Sequence, residues 1–169
     1  AAYSGSVPAW LAGECTLRKT QIDVEALCQR ANARLILSPA NTINTQKHYV
    51  ALANGERVNF DVASVNIGST LTSPHQLGEN LPKLLAMRPL SSLHQRWQAL
   101  QNDISHLPSG GAQRVVGVGG GAAGCETLMS VLAQLRKQRP DIDWQGHLLS
   151  ASNALLPDAG HVPRWLMRR

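Results

Sequence analysis

A glycine-rich loop in the C-terminal half places the strongest constraint on how this chain can fold. The segment Gly119-Gly120-Gly121-Ala122-Ala123-Gly124 has the GxGxxG spacing, with its key glycines at Gly119, Gly121 and Gly124. Between a strand and a helix, the first glycine permits a tight turn, the second lets a pyrophosphate approach the backbone, and the third lets the helix pack closely. The amide groups and the positive dipole at the start of the helix then favour phosphate binding.

The residues on either side of the loop supply the strand and the helix that this interpretation requires. Arg114–Val118 predicts a short apolar strand, Cys125 to about Gln138 an amphipathic helix that ends before Pro140, and Trp144–Ser150 a second strand. Such a βαβ unit has parallel strands and a right-handed crossover. The alternative, a flexible linker like Gly110-Gly111, does not explain an apolar strand before the loop and an amphipathic helix after it. The loop therefore predicts dinucleotide binding.

One residue that usually accompanies this loop is missing. In NAD-binding units an acidic residue at the end of the second strand holds the adenosine ribose. Here the strand ends at Ser150, followed by Ala151 and Ser152, whereas Asp141 and Asp143 precede the strand. A serine at this position would tolerate a 2′-phosphate, so both NADH and NADPH stay open as cofactors.

The part of the chain before residue 110 predicts several short strands in succession, which is typical of a β-meander. Asn54-Gly55 is the preferred pair for a two-residue hairpin turn, because both turn positions need positive φ angles. The expected strands are Ala33–Ser38, His48–Ala53, Glu56–Phe60 and Asp61–Ile67, with a turn at Pro39-Ala40-Asn41.

Two helices are expected in the same part of the chain. Asp23 is a candidate cap for a helix from about Val24 to Asn32. Leu90–Ile104 predicts a longer helix, and Trp97 lies on its apolar face. Residues 1–22 are expected to be irregular, because glycine and proline interrupt them. A further helix is expected to begin in residues 152–169.

The composition indicates a globular chain and argues against several functional classes. Hydrophobic residues make up 43% and charged residues 16%, which is enough apolar material for a core. The net charge is +5, but the basic residues are scattered and aromatic residues are only 4%, so nucleic-acid binding is not expected. No apolar run reaches the length of a membrane-spanning helix. Trp10, Trp144 and Trp165 are expected in the core.

The cysteines and histidines do not predict a metal centre or a disulfide framework. Cys15, Cys28 and Cys125 lack paired spacing, and the six histidines form no HxxxH motif. Cys125 lies at a helix N-terminus, where thiolates are stabilised. The apolar face of the helix that follows it nevertheless favours a buried, unreactive thiol.

Four segments, which together extend over nearly the whole chain, carry a resemblance to a known family. They are Tyr3–Gly13, Ile22–Leu27, Phe60–Thr70 and Val116–Glu126, of which the last two are the more specific. Together they resemble the FAD-dependent pyridine nucleotide–disulfide oxidoreductase superfamily, in the branch similar to type II NADH dehydrogenases. Some members of that branch are fused to selenide, water dikinase.

The resemblance implies roles for residues in three of these segments. By that match, Asn66, Ile67 and Gly68 lie near the FAD nucleotide, and Tyr3-Ser4-Gly5 passes near the flavin ring. Glu126 matches an acidic residue near the nicotinamide side of the NAD site. The CxxxxC redox pair of the superfamily is absent from this sequence, so no disulfide chemistry is expected.

The resemblance also predicts the fold class and the domain organisation. The glycine loop that holds the FAD pyrophosphate in the family is absent, as is the second half of the NAD domain, so an internal fragment is expected. The predicted fold is α/β: a partial FAD/NAD(P)-binding, Rossmann-like, three-layer fold with a β-meander, then the first βαβ of a second Rossmann-like unit. The expected domains are residues 1–109 and 110–169, divided at Pro108-Ser109-Gly110-Gly111.

The function expected from the resemblance is hydride transfer from NAD(P)H to FAD in the intact protein, and from there to an unknown acceptor. The isolated fragment is expected to be inactive. The expected partners are a nicotinamide dinucleotide, the remainder of the flavoprotein, a second copy of the chain in a homo-oligomer, and a membrane surface contacted peripherally. The expected location is the cytoplasm, including the inner face of the membrane. The alternative is a catalytically silent nucleotide-binding or assembly module.

Overall fold

The computed structural model describes residues 3–69, 83–152 and 156. These residues form two compact units. The first unit contains residues 3–22 together with the described residues from 83 onwards, and the second contains residues 23–69. These two units are defined by contacts within the chain. The predicted division into FAD-type and NAD(P)-binding domains at residues 108–111 concerns the intact protein and stays a prediction.

The first unit contains the predicted βαβ motif. Strand β4 (Ala112–Val118) and strand β5 (Asp143–Leu149) pair in parallel, from Ala112 opposite Asp143 to Val118 opposite Leu149. Helix α4 (Ala122–Gln138) connects them. The predicted strands, helix and parallel pairing are therefore confirmed, and the helix begins three residues before the predicted start.

Helix α4 packs closely on the sheet because both strands carry a glycine beneath it. A Cβ atom on Gly146 would overlap Leu132 Cδ1 of the helix. A Cβ atom on Gly117 would lie 3.3 Å from Leu128 Cβ and 3.1 Å from Leu148 Cδ1. The helix also packs against α1 (Val7–Leu11), within a segment that was expected to be irregular.

One core unites α1, α4, β5 and helix α3 (Leu93–Ser105), which follows a 3₁₀ turn and confirms the predicted helix. Trp97 and Trp144 are buried in this core, and Trp10 packs against it, as expected; Trp165 lies outside the described residues. The buried members are Val7, Leu11, Leu93, Trp97, Ile104, Leu128, Val131, Leu132, Leu135, Ile142 and Trp144.

The opposite face of the β4–β5 sheet is exposed among the described residues. Because side chains alternate along a strand, Val116, Val118 and Leu149 point away from α4. Val118 is 82% exposed, Leu149 56% and Val116 52%. The crossover helix covers one face, and the other face carries these three exposed apolar side chains at its carboxyl end, next to the polar Arg114, Gln145 and His147.

Arg139, directly after α4, ties the C-terminal ends of two helices together. Its guanidinium donates to the carbonyl oxygens of Ile104 and Leu107, both at 3.0 Å, at the end of α3. It also forms a two-point ion pair with Asp141, at 2.8 and 2.7 Å. One planar side chain therefore satisfies carbonyl groups that the end of a helix leaves without intrahelical partners.

The second unit contains a helix and the predicted meander. Asp23 Oδ1 accepts from the Ala26 amide at 3.0 Å, which confirms the cap of helix α2 (Val24–Arg30). The strands β1 (Ala40–Asn44), β2 (Tyr49–Leu52) and β3 (Arg57–Asn59) pair antiparallel in that order.

The hairpin between β2 and β3 has a three-residue loop, so the predicted two-residue turn is wrong. The Gly55 amide donates to the Leu52 carbonyl at 3.0 Å, and the Leu52 amide donates to the Glu56 carbonyl at 2.9 Å. Gly55 has a φ of +86°, whereas Asn54 keeps a negative φ. Only one of the two positions needs left-handed backbone, as in a type I turn followed by a glycine bulge.

Two further strand predictions are wrong. Residues 33–38 form no strand. Strand β1 begins instead at Ala40, within the predicted turn, and residues 40–44 form the pairing with β2. Asp61–Ile67 also forms no strand, and its apolar side chains are exposed, with Ile67 at 89%. Its alternating pattern finds no partner strand within the described residues. The helix expected in residues 152–169 lies outside the described residues, apart from positions 152 and 156.

Replacing Asp141 by asparagine should lower the stability at neutral pH but not in strong acid. Hydrogen bonding from Arg139 lowers the pKa of Asp141 to about 2, from an unfolded value of about 3.9. Because the pKa is lowered on folding, the stabilisation is fully present above the unfolded value and is lost as the pH falls through the folded value. We expect Asp141→Asn to lower the free energy of unfolding at neutral pH, and its difference from wild type to shrink between about pH 4 and 2.

Urea unfolding at a series of pH values measures this difference. Asp143→Asn is the control, because this nearby carboxylate accepts a hydrogen bond from the neutral amide of Gln145, at 2.7 Å from Nε2, and forms no ion pair within the described residues. A difference between wild type and Asp141→Asn that stays constant down to pH 2 would contradict the account.

Candidate functional site

The glycine loop leaves β4 through a turn that requires a glycine at its first position. Gly119 has a φ of +124°, a backbone conformation that residues with a side chain rarely adopt. Its amide donates to the carbonyl oxygen of Leu149 at 2.8 Å, which continues the pairing of β4 with β5 by one residue. The turn therefore begins at the carboxyl end of the two parallel strands.

Gly124 lets the start of α4 close against this turn. A Cβ atom at Gly124 would overlap the carbonyl oxygen of Gly119, so any larger residue forces the loop and the helix apart. Gly120 is buried, and its carbonyl oxygen accepts from the Leu156 amide at 3.0 Å. The loop is thus held by backbone contacts on its inner side.

Gly121 lies at the open side of the loop. It is the N-cap of α4, with φ −79° and ψ 174°, and a Cβ atom there would meet nothing within 4 Å. No side chain of the described residues caps the helix, and its first turn, which includes the exposed Ala122 and Ala123, contains no acidic residue. The first amide groups of a helix lack intrahelical acceptors, so this end offers donors and a positive dipole to an anion.

Cys125, in the first turn of α4, is a structural residue. Its side chain is 1% exposed, and its Sγ donates to the carbonyl oxygen of Gly120 at 3.7 Å. Burial raises the pKa of this thiol, which favours the uncharged form over the nucleophilic thiolate. The expected burial of this thiol is confirmed, and its lack of reactivity stays a prediction.

The structure places the other predicted residues of the dinucleotide site near the same end of the sheet. Glu126 is exposed one turn into α4. Ser150 follows β5 directly, and its hydroxyl oxygen accepts from the Ser152 amide at 3.1 Å. Asp143 begins β5, and Asp141 is paired with Arg139, so both carboxylates lie at the opposite end of the strand.

Of the residues that resemble an FAD site, Asn66, Ile67 and Gly68 belong to the second unit, whereas Tyr3-Ser4-Gly5 belongs to the first. Asn66 Nδ2 donates to Ser64 Oγ at 2.8 Å, and Ile67 is 89% exposed. Gly68 has a φ of +77°, and a Cβ atom there would meet no described residue within 4 Å. The backbone here is extended and irregular. Their role at a flavin stays a prediction.

Within residues 3–69 and 83–152, no three histidine, cysteine or acidic side chains gather in a way that could hold a metal ion. In the same part of the chain, no helix has the length and apolar character needed to cross a membrane.

Sequence reasoning did not identify two residues that shape the site. Gly117 and Gly146 bring α4 down onto the sheet and thereby position its N-terminus, but neither belongs to the GxGxxG pattern. An isolated glycine within an apolar strand is the available signal, because it often marks close approach by another element.

Comparison with solved structures supports the fold. The chain is similar to putidaredoxin reductase in its covalent complex with putidaredoxin, with a TM-score of 0.59 and 17% identity over 99% of this chain and 38% of that one. It is also similar to reduced CoADR-RHD of Bacillus anthracis, with a TM-score of 0.59 and 17% identity over 97% of this chain and 28% of that one. The chain therefore has a partial Rossmann-like α/β fold and spans less than two fifths of either neighbour.

Comparison of sequences adds no family assignment. No protein-family model matches the sequence. No curated protein matches it either.

Two alanine substitutions in the loop should affect stability differently. Alanine favours a helix over glycine by about 1 kcal/mol, but at Gly124 its Cβ atom overlaps the Gly119 carbonyl. We therefore expect Gly124→Ala to lower the free energy of unfolding by about 1–3 kcal/mol, the usual cost of overpacking. Gly121→Ala meets open space and should cost less than about 1 kcal/mol, as an N-cap change.

Denaturant unfolding of the two variants and the wild type measures these values. Equal losses of stability in the two variants would contradict the packing described for the third glycine.

Proposed function

We propose that this chain binds a nicotinamide dinucleotide through Gly119–Gly124, as part of a flavin-dependent oxidoreductase. The observation that carries this proposal is the geometry of the loop. Gly119 makes the turn, Gly124 packs against it, and Gly121 leaves open space beside the uncapped end of α4. These are the three requirements for a pyrophosphate that lies on the backbone of a strand-to-helix loop.

The electrostatics of the loop support a phosphate ligand. The first turn of α4 contains no carboxylate that would repel a phosphate. The nearest acidic residue along the helix is Glu126, beyond the amide groups that face the loop. In the proposed complex the pyrophosphate accepts hydrogen bonds from these amides, and Gly121 permits its close approach.

The end of β5 favours neither form of the cofactor strongly. Ser150 stands where a carboxylate would hold the ribose of NADH. Its neutral hydroxyl does not repel the 2′-phosphate of NADPH. We therefore propose that both NADH and NADPH bind, with no charge at this position to discriminate against NADPH.

The flavin belongs to the intact protein in this proposal. Asn66, Ile67 and Gly68 are proposed to lie at the FAD nucleotide, as the family resemblance implies. Bound FAD would accept the hydride of NAD(P)H, and the protein would position the nicotinamide against it. Glu126 is proposed to lie on the nicotinamide side, and the electron acceptor is left open.

A second candidate function follows from the exposed face of the β4–β5 sheet. Val116, Val118 and Leu149 form an apolar surface that suits an assembly module without catalytic activity. If this surface joins copies of the chain, Val118→Lys should convert oligomers to monomers in sedimentation experiments. Purified protein that lacks flavin absorbance, does not bind NAD(P)H and forms Val118-dependent oligomers would favour this candidate.

Gly121→Ala should weaken dinucleotide binding with little loss of stability. The added methyl group is tolerated by the protein alone but occupies the space through which the pyrophosphate approaches. Titration of the wild-type chain with NADH and NADPH, followed by nicotinamide fluorescence, gives the two dissociation constants. We expect Gly121→Ala to raise them by at least about tenfold.

Met129→Ala is the matched control on the same helix, because Met129 is exposed and lies two turns beyond the loop. It should leave binding unchanged. A wild-type chain that binds neither dinucleotide, or a Gly121→Ala variant that binds as well as wild type, would contradict the proposed function.

A further inference from the structure

A cleft in the first unit lies away from the glycine loop. It has a volume of about 220 Å³ and lies among the segment that follows α1, helix α3 and the last turns of α4. Gln134 of α4, one of its lining residues, is twelve residues beyond Ala122. At 1.5 Å per residue this is about 18 Å along the helix, so the cleft is separate from the loop.

The walls of the cleft are aromatic and polar. Trp10 and His94 lie with their ring centres 5.8 Å apart, and the buried Trp97 also lines the cleft. The amide side chains come from Gln98 and Gln101 of α3, together with Gln134. Among the described residues, no aspartate, glutamate, lysine or arginine lines the cleft. This combination suits a neutral, planar ligand with hydrogen-bonding groups at its edge.

Two buried polar atoms of the lining residues have no hydrogen-bond partner within the described part of the chain. They are His94 Nδ1 and Gln134 Oε1. Buried polar atoms are normally paired, so each unpaired atom calls for an explanation. Gln134 Oε1 can only accept, and it therefore requires a partner that donates an N–H or O–H group.

Gly13 leaves space for the Gln134 amide oxygen at the wall of the cleft. A Cβ atom at Gly13 would overlap Gln134 Oε1, and Gly13 has a φ of +73°. The glycine thus lets the glutamine oxygen reach a place that a side chain would otherwise fill. The unpaired Gln134 Oε1 atom therefore lies against Gly13.

We propose that this cleft binds a neutral, planar nitrogen heterocycle that carries N–H donors, of the aminopurine class. The volume of about 220 Å³ is below that of pockets for drug-sized ligands, so it suits one small ring system. The ring packs against the indole of Trp10, an N–H group donates to Gln134 Oε1 after a small side-chain adjustment, and His94 Nδ1 pairs with the ring edge. The proposal is independent of dinucleotide binding at the loop.

Adenine is the probe, and ¹⁵N-resolved NMR of the 169-residue chain is the readout. Adenine should shift the indole N–H signals of Trp10 and Trp97 and the side-chain amide of Gln134, while the amides of Gly119–Gly124 stay unchanged. Benzoate, a planar anion of similar size without N–H donors, should produce no such shifts. Absence of adenine-dependent shifts at millimolar concentration, or shifts confined to the loop, would overturn the proposal.

Gln134→Met tests the acceptor, and Gln138→Met is its matched control. Gln138 lies one turn further along α4, and its Oε1 is likewise buried and unpaired within the described residues, but it does not line the cleft. Gln134→Met should raise the dissociation constant for adenine by at least about tenfold, and Gln138→Met by less than about twofold. Equal effects would overturn the proposal. If Gln134→Met does not fold, His94→Phe provides the same comparison.

Discussion

The close contact between the Gly119 carbonyl and Gly124 is the constraint on which the rest of the first unit depends. It sets how near the start of α4 lies to the end of β4, and no residue with a side chain fits at position 124 without moving one of them. Gly117 and Gly146 likewise allow close packing further along the helix, because Leu128 and Leu132 contact the strands at these glycines. Close packing therefore fixes the helix at its N-terminus and along its length.

Helix α4 contributes both to the hydrophobic core and to the candidate site. Its apolar face supplies Leu128, Val131, Leu132 and Leu135 to the core. Its N-terminus, held by that core, presents amide groups at the open side of the loop, and in the proposed complex these preorganised donors bind the phosphate without the cost of ordering the chain. At the other end, Arg139 joins the helix to α3 through three main-chain carbonyl oxygens. The orientation of the loop is thus set by both ends of one helix.

The features that the sequence predicted well depend on local patterns. The GxGxxG spacing, the period of α4 and the cap at Asp23 each act within a few residues, and the structure confirms the elements they predict. The errors concern tertiary pairing. Asp61–Ile67 alternates like a strand but has no partner among the described residues, and the hairpin loop is longer than predicted because Gly55 alone adopts a positive φ. Gly146 and Arg139 were missed because their roles depend on which elements pack together.

The most direct measurement of the central claim is an NMR titration of the backbone amides with NADPH and NADH. If the pyrophosphate lies on the loop, the amide signals of residues 121–124 should move together and saturate with one dissociation constant. The amides of the β2–β3 hairpin should not move. Saturable binding that leaves residues 121–124 unchanged, or no binding of either dinucleotide, would contradict the account.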